Sequence, residues 1–327
     1  MIDTLSAGLS VMARHAWLLI IPIAFDLFLW LAPPLAIGSH FQQSIFPPLN
    51  IHSLLVGAPD PELATQLQST YDGMALQISQ TNFWGWTVPS GLFFPSVMVG
   101  VNQSGTDVFW ALETPLTFFG AFLGLTLLGI LMNVVWLHAV AYATTHNPAM
   151  LKVTAILQSF VRLVGLGVLI LLILLGALVV TFLLVSVIAL LVPGIAVAAL
   201  TLLLLFAVWW AVWIGVQLYF TIASLVMGGQ GIVAAPSASA FLLRRHPDNP
   251  HWRSGYGFIF LTVILSWGFA FIWQSLMATS MGRLVGIIGN AALGTGIAAA
   301  MMLFYSQRTT SQPIKEQPVT IEGKTTT

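Results

Sequence analysis

The chain has 327 residues, 58% hydrophobic and only 6% charged, with ten basic residues balancing ten acidic ones. A soluble domain carries about 25% charged residues, so this chain cannot cover itself with a charged surface and lipid must solvate much of it. Zero net charge gives no reason to expect a nucleic-acid partner, and the absence of cysteine excludes disulfides, thiolate metal sites and a cysteine nucleophile.

Six apolar segments reach the roughly 20 residues that a spanning helix needs. They are residues 17–37, 109–137, 163–191, 195–227, 256–274 and 284–305. They predict an all-α membrane protein with six transmembrane helices in a single domain over residues 1–308. Several of the twelve tryptophans stand near the ends of these runs, as an interfacial aromatic belt requires.

The stretch before span one, "LSAGLSVMARHAWLLI", puts Ile2, Leu5, Leu9 and Met12 on one helical face, with Asp3 or Thr4 as N-cap and Arg14 at the end. Such a helix is expected in the cytoplasmic interface, its arginine reaching headgroup phosphates. The "LAPPLAIGSH" after span one has no small-x-small cleavage pattern, so the span is expected to be retained. Asp26 falls mid-span, where a carboxylate needs a cation, a proton or hydrogen-bond donors. It is the first candidate polar site, and packing into a helix contact is the plainer reading.

Residues 38–107 hold no Lys or Arg. Asp60-Pro61-Glu62 marks a helix start, followed by an apolar stripe of Leu63, Leu67, Tyr71, Met74 and Ile78. This predicts a helical loop on the outer face between spans one and two. "FWGWTVPSGLFFPSVMVG" follows, too short and too interrupted for a span, and is expected to be interfacial or re-entrant. The region is read as a cover, or else as a lid or partner surface.

Glu113, two residues before Pro115, is placed to meet the positive end of the span-two helix. His138 and His146 are expected near headgroups. Their eight-residue separation, about 12 Å along a helix, is too wide for one metal. "LKVTAILQSFVRLVGL" and "APSASAFLLRRHPDNPHWRSGYGF" lead into spans three and five as the first stretch leads into span one. The repeat predicts three units of interfacial helix plus helical hairpin, with Arg162, Arg244, Arg245 and Arg253 joining Arg14 as anionic-headgroup contacts. Pro193-Gly194 separates spans three and four. "MGGQGIVAAP" lacks the Lys-Ser/Thr of a phosphate-binding loop, and no Gly-x-Ser-x-Gly or His-Glu-x-x-His occurs. No cofactor or metal is expected.

Basic residues occupy alternate loops, Arg283 being the exception, which predicts cytoplasmic termini. In span six Gly282, Gly286, Asn290, Gly294 and Ala298 recur every four residues. They predict a helix-packing seam in which Asn290, the second candidate polar residue, hydrogen-bonds across the contact. Residues 309–327 are polar and threonine-rich and predict a disordered cytoplasmic tail.

"GNAALGTGIAAAMMLFYSQR", ending in Phe304, Tyr305 and Arg308, resembles the closing helix of bacterial six-span proteins similar to the membrane domain of glycerophosphoryl diester phosphodiesterases. "SASAFLLRRHP" resembles their stretch before span five. The resemblance covers about a quarter of the chain. It implies a bacterial membrane module and no hydrolase activity, since there is no room for the soluble barrel some members carry. The expected function is a non-enzymatic scaffold, anchor or accessory module in the plasma membrane, in contact with the bilayer and possible protein partners. The alternative is a transporter or lipid-handling protein using Asp26 and a cavity beneath the outer loop.

Overall fold

A computed structural model describes residues 2–38, 61–79, 81–87, 95–98, 110–191, 196–243 and 255–310, almost all of them helical. Five helices are long and apolar enough to cross a membrane, or six if one bent pair counts as a single span.

That pair is helix α1 (Ile2–Arg14) and a 3₁₀ turn (Ala16–Leu19) leading into α2 (Ile20–Leu31), bent by 90°. The His15 N–H closes the end of α1 on Val11, and its ring Nδ1 lies 3.1 Å from the same carbonyl. The Trp136 indole donates to the Leu18 carbonyl at 3.2 Å and fixes the corner to the bundle. Span one stops at Leu31, short of the expected residue 37. Proline lacks an N–H and bars the α region to the residue before it, so Pro33-Pro34 force extended backbone. Strand β1 (Leu35–Ile37) then pairs in parallel with β2 (Trp110–Leu112).

The same pairing moves the start of span two from residue 109 to Pro115. Helix α3, in the connection between spans one and two, is Pro61–Ser79, beginning at the expected proline. Its inward face carries Tyr71 and Ile78 as expected, but Met74 is exposed. The neighbour at the right angle is Ala75. Helix α4 (Pro115–Thr145) is capped by Thr114 in a capping box with Thr117. Glu113 is therefore not the cap; its carboxylate lies over the Gly38 α-carbon, on the side where a β-carbon would project.

Helix α5 (Val153–Leu191) runs unbroken for 39 residues. The amphipathic stretch expected to be a separate interfacial helix is its first turns, with Ile156 and Phe160 packed on the core. The three-unit repeat thus fails in its middle unit, because no breaker separates Val153 from the span. Residues 192–195, including the expected Pro193-Gly194 turn, lie outside the described residues.

Span four is interrupted: α6 (Ala196–Leu218) gives way to α7 (Thr221–Val226). Ser239 of α8 (Ala234–Leu243) repairs the gap. Its hydroxyl accepts from the Phe220 N–H at 3.0 Å and donates to the Gln217 carbonyl at 2.6 Å. Helices α9 (Gly255–Leu276) and α10 (Ser280–Thr310) complete the bundle near the expected positions. The tail from 311 lies outside the described residues.

The core gathers at one end, around Trp136, Leu137, Phe220, Leu243, Met301 and Met302. Phe304 stacks on Phe220 and Phe258 with centroids 5.1 and 4.7 Å apart. Much of α5 and α6 instead exposes Leu, Val, Phe and Trp. An apolar surface of this extent fits lipid.

The expected glycine seam is divided among several neighbours. Gly282 backs onto the Leu276 carbonyl, Gly286 faces Trp273 and Met277, Gly294 lies under Pro95, and Ala298 is in the core. At 3.6 residues per turn an i, i+4 row drifts about 40° per step, so it cannot follow one neighbour over four steps. A tighter helix crossing lies elsewhere. A β-carbon on Gly8 would stand 2.5 Å from the Ala300 nitrogen and the Gly296 oxygen. Helix α1 therefore lies directly on α10, and Ile2 of its expected apolar stripe is exposed.

Candidate functional site

Asp26 sits in the middle of α2, fully shielded, between Phe25 and Leu29. Its hydrogen-bond partners come from the segment at residues 95–98, between spans one and two. The Ser96 hydroxyl donates to Oδ1, the Val97 N–H donates to Oδ2 at 3.1 Å, and the Met98 backbone faces the same carboxylate. Met98 packs with Phe25, Leu29 and Ile287, and Pro95 presses on Gly294. A short non-helical segment, residues 95–98, thus reaches the middle of α10; residues 88–94 and 99–100 of the stretch expected to be interfacial or re-entrant lie outside the described residues. Irregular backbone at that depth needs its polar groups satisfied inside the protein, and the Asp26 carboxylate does this for Ser96 and Val97.

A cavity of about 230 Å³ adjoins this segment, with Ser96, Ser266 and Asn290 among the apolar groups of Pro95, Leu293 and Ile297. Ser96 separates Asp26 from it. The two sequence candidates, Asp26 and Asn290, therefore lie on opposite sides of one loop segment and are not in contact through a shared hydrogen bond. Asn290 and Ser266 have no side-chain hydrogen bond among the described residues. The expected bond from Asn290 across a helix seam is not made, because its neighbour there is space.

Sequence reading missed a second buried constellation. His138, expected at the headgroups, is 1% exposed. Its Nδ1 lies 2.7 Å from the Met150 carbonyl and its Nε2 lies 2.9 Å from the Ser159 hydroxyl. With Nδ1 protonated toward the carbonyl, Ser159 donates to Nε2. Such a pair resembles an activated nucleophile, but Ser159 is 3% exposed. Its visible effect is to join α4, the following 3₁₀ turn (Pro148–Leu151) and α5. The eight-residue spacing to His146 gave no clue, since the partners come from another helix. His146 itself is exposed, in a left-handed conformation, 6.0 Å from the His15 ring.

Arg14 is exposed at the end of α1. Arg162 is half-buried beside the Gly229 turn. Arg244, Arg245 and Arg253 lie outside the described residues. Arg308 is 7% exposed, donates to the Leu242 carbonyl at 2.5 Å and lies 4.2 Å over the Phe304 ring. Arg283, the exception among the basic loops, donates to the Met277 carbonyl at 2.9 Å. Among the described residues no three His, Cys, Asp or Glu side chains gather as a metal site.

Comparison with family models, curated proteins and solved structures finds no match to this chain.

Proposed function

We propose that the chain is a non-enzymatic, multi-pass module of a bacterial plasma membrane, with both termini in the cytoplasm, that anchors or assists a partner. The observation that carries this reading is the sealed state of Asp26. This mid-span carboxylate uses both oxygens on the outer loop, and Ser96 stands between it and the neighbouring cavity. Its role is then to hold that loop in a fixed pose on the bundle, presenting the outer region to a partner at the membrane surface. The alternating basic loops support the orientation, and the resemblance of the last span supports the bacterial setting.

The test uses the natural absence of cysteine. Asp26→Cys, in a variant shown to be folded, should stay unlabelled by a membrane-impermeant thiol reagent applied from either side. Labelling from one side would overturn the accessory reading and favour transport. Asp26→Asn should leave partner association intact, whereas a transporter would lose flux.

The cavity beside Ser96 favours a second reading, lipid handling, in which the outer segment shapes a site open to the bilayer.

A further inference from the structure

The cavity's position and walls together specify a ligand. Asn290 lies ten residues past Ser280 in α10, and Ser266 lies ten residues before Leu276 in α9. At 1.5 Å per residue both stand about 15 Å below the linked ends of these helices. Half the thickness of a bilayer's hydrocarbon is also about 15 Å. With the linked ends at the edge of the hydrocarbon, the site sits near mid-bilayer, below the phosphate layer.

Ser266 carries one wall of the cavity to the exposed surface of α9. Ser266 is exposed and is flanked on the same helix by exposed Val263, Ile264 and Trp267. A serine hydroxyl is thus presented on an apolar, lipid-facing strip, at the edge of a cavity whose inner wall carries Asn290. Among the described residues the polar wall is neutral. Ser96 spends its proton on Asp26 and keeps acceptor capacity, Ser266 offers a hydroxyl, and Asn290 offers both donors and an acceptor. Among the described residues no Lys or Arg borders the cavity. The carboxylate of Asp26 stands one hydrogen bond behind Ser96 and opposes an anion.

We propose that this cavity binds the uncharged polar end of a neutral lipid, one bearing hydroxyl and ester groups on long acyl chains. Such a lipid reaches mid-bilayer without dragging a phosphate through hydrocarbon, and its oxygens match the amide of Asn290 and the hydroxyl of Ser266. About 230 Å³ accommodates a headgroup of several heavy atoms, against the roughly 30 Å³ that one water occupies in the liquid. The inference deepens the lipid-handling reading by naming the ligand. Binding is measured apart from transfer, so failure of one is distinguishable from failure of the other.

The experiment is native mass spectrometry of the purified full chain, titrated with dioleoylglycerol or with dioleoylphosphatidylglycerol. Thermal melting in detergent checks folding. The expected result is one retained dioleoylglycerol, outcompeting the anionic lipid, with retention falling about tenfold in Asn290→Leu and in Ser266→Leu. Ser266 is exposed, so its variant carries the test if Asn290→Leu does not fold. Equal retention of both lipids, or unchanged retention in Ser266→Leu, overturns the proposal. So does rapid labelling of Ser266→Cys by a membrane-impermeant reagent, which would make the cavity a water-filled vestibule. A vesicle assay of dioleoylglycerol transfer then addresses lipid handling separately.

Discussion

Asp26 joins two distant parts of the chain through a single side chain, and its substitutions should rank by the donors they leave unpaired. Asp26→Leu leaves the Ser96 hydroxyl and the Val97 N–H without an acceptor in a buried site. Each costs about 1–3 kcal/mol, so its melting temperature should fall well below that of Asp26→Asn. The amide keeps one oxygen for Val97 and can donate to Ser96. Thermal unfolding of the two variants checks this order, and equal melting would mean the clip carries no stability. Glycines should split in the same way by surroundings. Gly8→Val drives a side chain into Ala300 and Gly296, and overpacking of this kind costs about 1–3 kcal/mol. At Gly120 in α4 a β-carbon would meet nothing within 4 Å. Gly120→Ala should gain about 0.5–1 kcal/mol from helix propensity. Thermal melting of both variants checks the opposite signs.

At the scale of elements, breaks are informative where their orphaned backbone groups find a partner. The interruption between α6 and α7 is repaired by Ser239, which serves both the Phe220 N–H and the Gln217 carbonyl. Ser239→Ala removes both bonds in a fully buried place. It should cost about 1–3 kcal/mol and raise amide exchange at Phe220; unchanged exchange there would show that another group takes over. The "SASA" stretch was legible as small and helical, but its task was not, because the gap it fills lies 19 residues upstream. His138 teaches the same lesson. Its helix was predicted from apolarity, yet the ring's partners, Met150 and Ser159, are supplied by the next two elements. The expected span one ran past Pro33-Pro34 to residue 37, although these prolines end the helix at Leu31, and the pairing of β1 with β2 had no local signal because of their separation.

For the whole molecule, the proposed orientation rests on the alternation of basic loops and is open to a direct check. Asn147→Cys, after α4, and a cysteine appended at the C-terminus should both label from the cytoplasmic side. Thr81→Cys, in the outer loop, should label from the opposite side. Labelling of all three from one side would refute the alternating topology. The bundle is held together mainly at one end, where Phe220, Phe258 and Phe304 stack and Arg308 closes over them. The exposed lengths of α5 and α6 at the other end depend on lipid as their apolar neighbour. That division explains why a low charge content is compatible with a stable fold only in a membrane.

Composition and hydropathy by themselves determined the class of this protein, its candidate spans and several of its helix starts, because burying backbone in an apolar solvent leaves helices as the local solution. They also picked out Asp26 and Asn290, since uncompensated polarity inside an apolar run is visible one residue at a time. Only the tertiary structure decided what these residues meet. Ser96 and Val97 reach Asp26 from 70 and 71 residues away, and Asn290 opens onto space left by the same segment. Contacts across such separations depend on how the chain returns to itself, and no periodicity within a helix encodes that return.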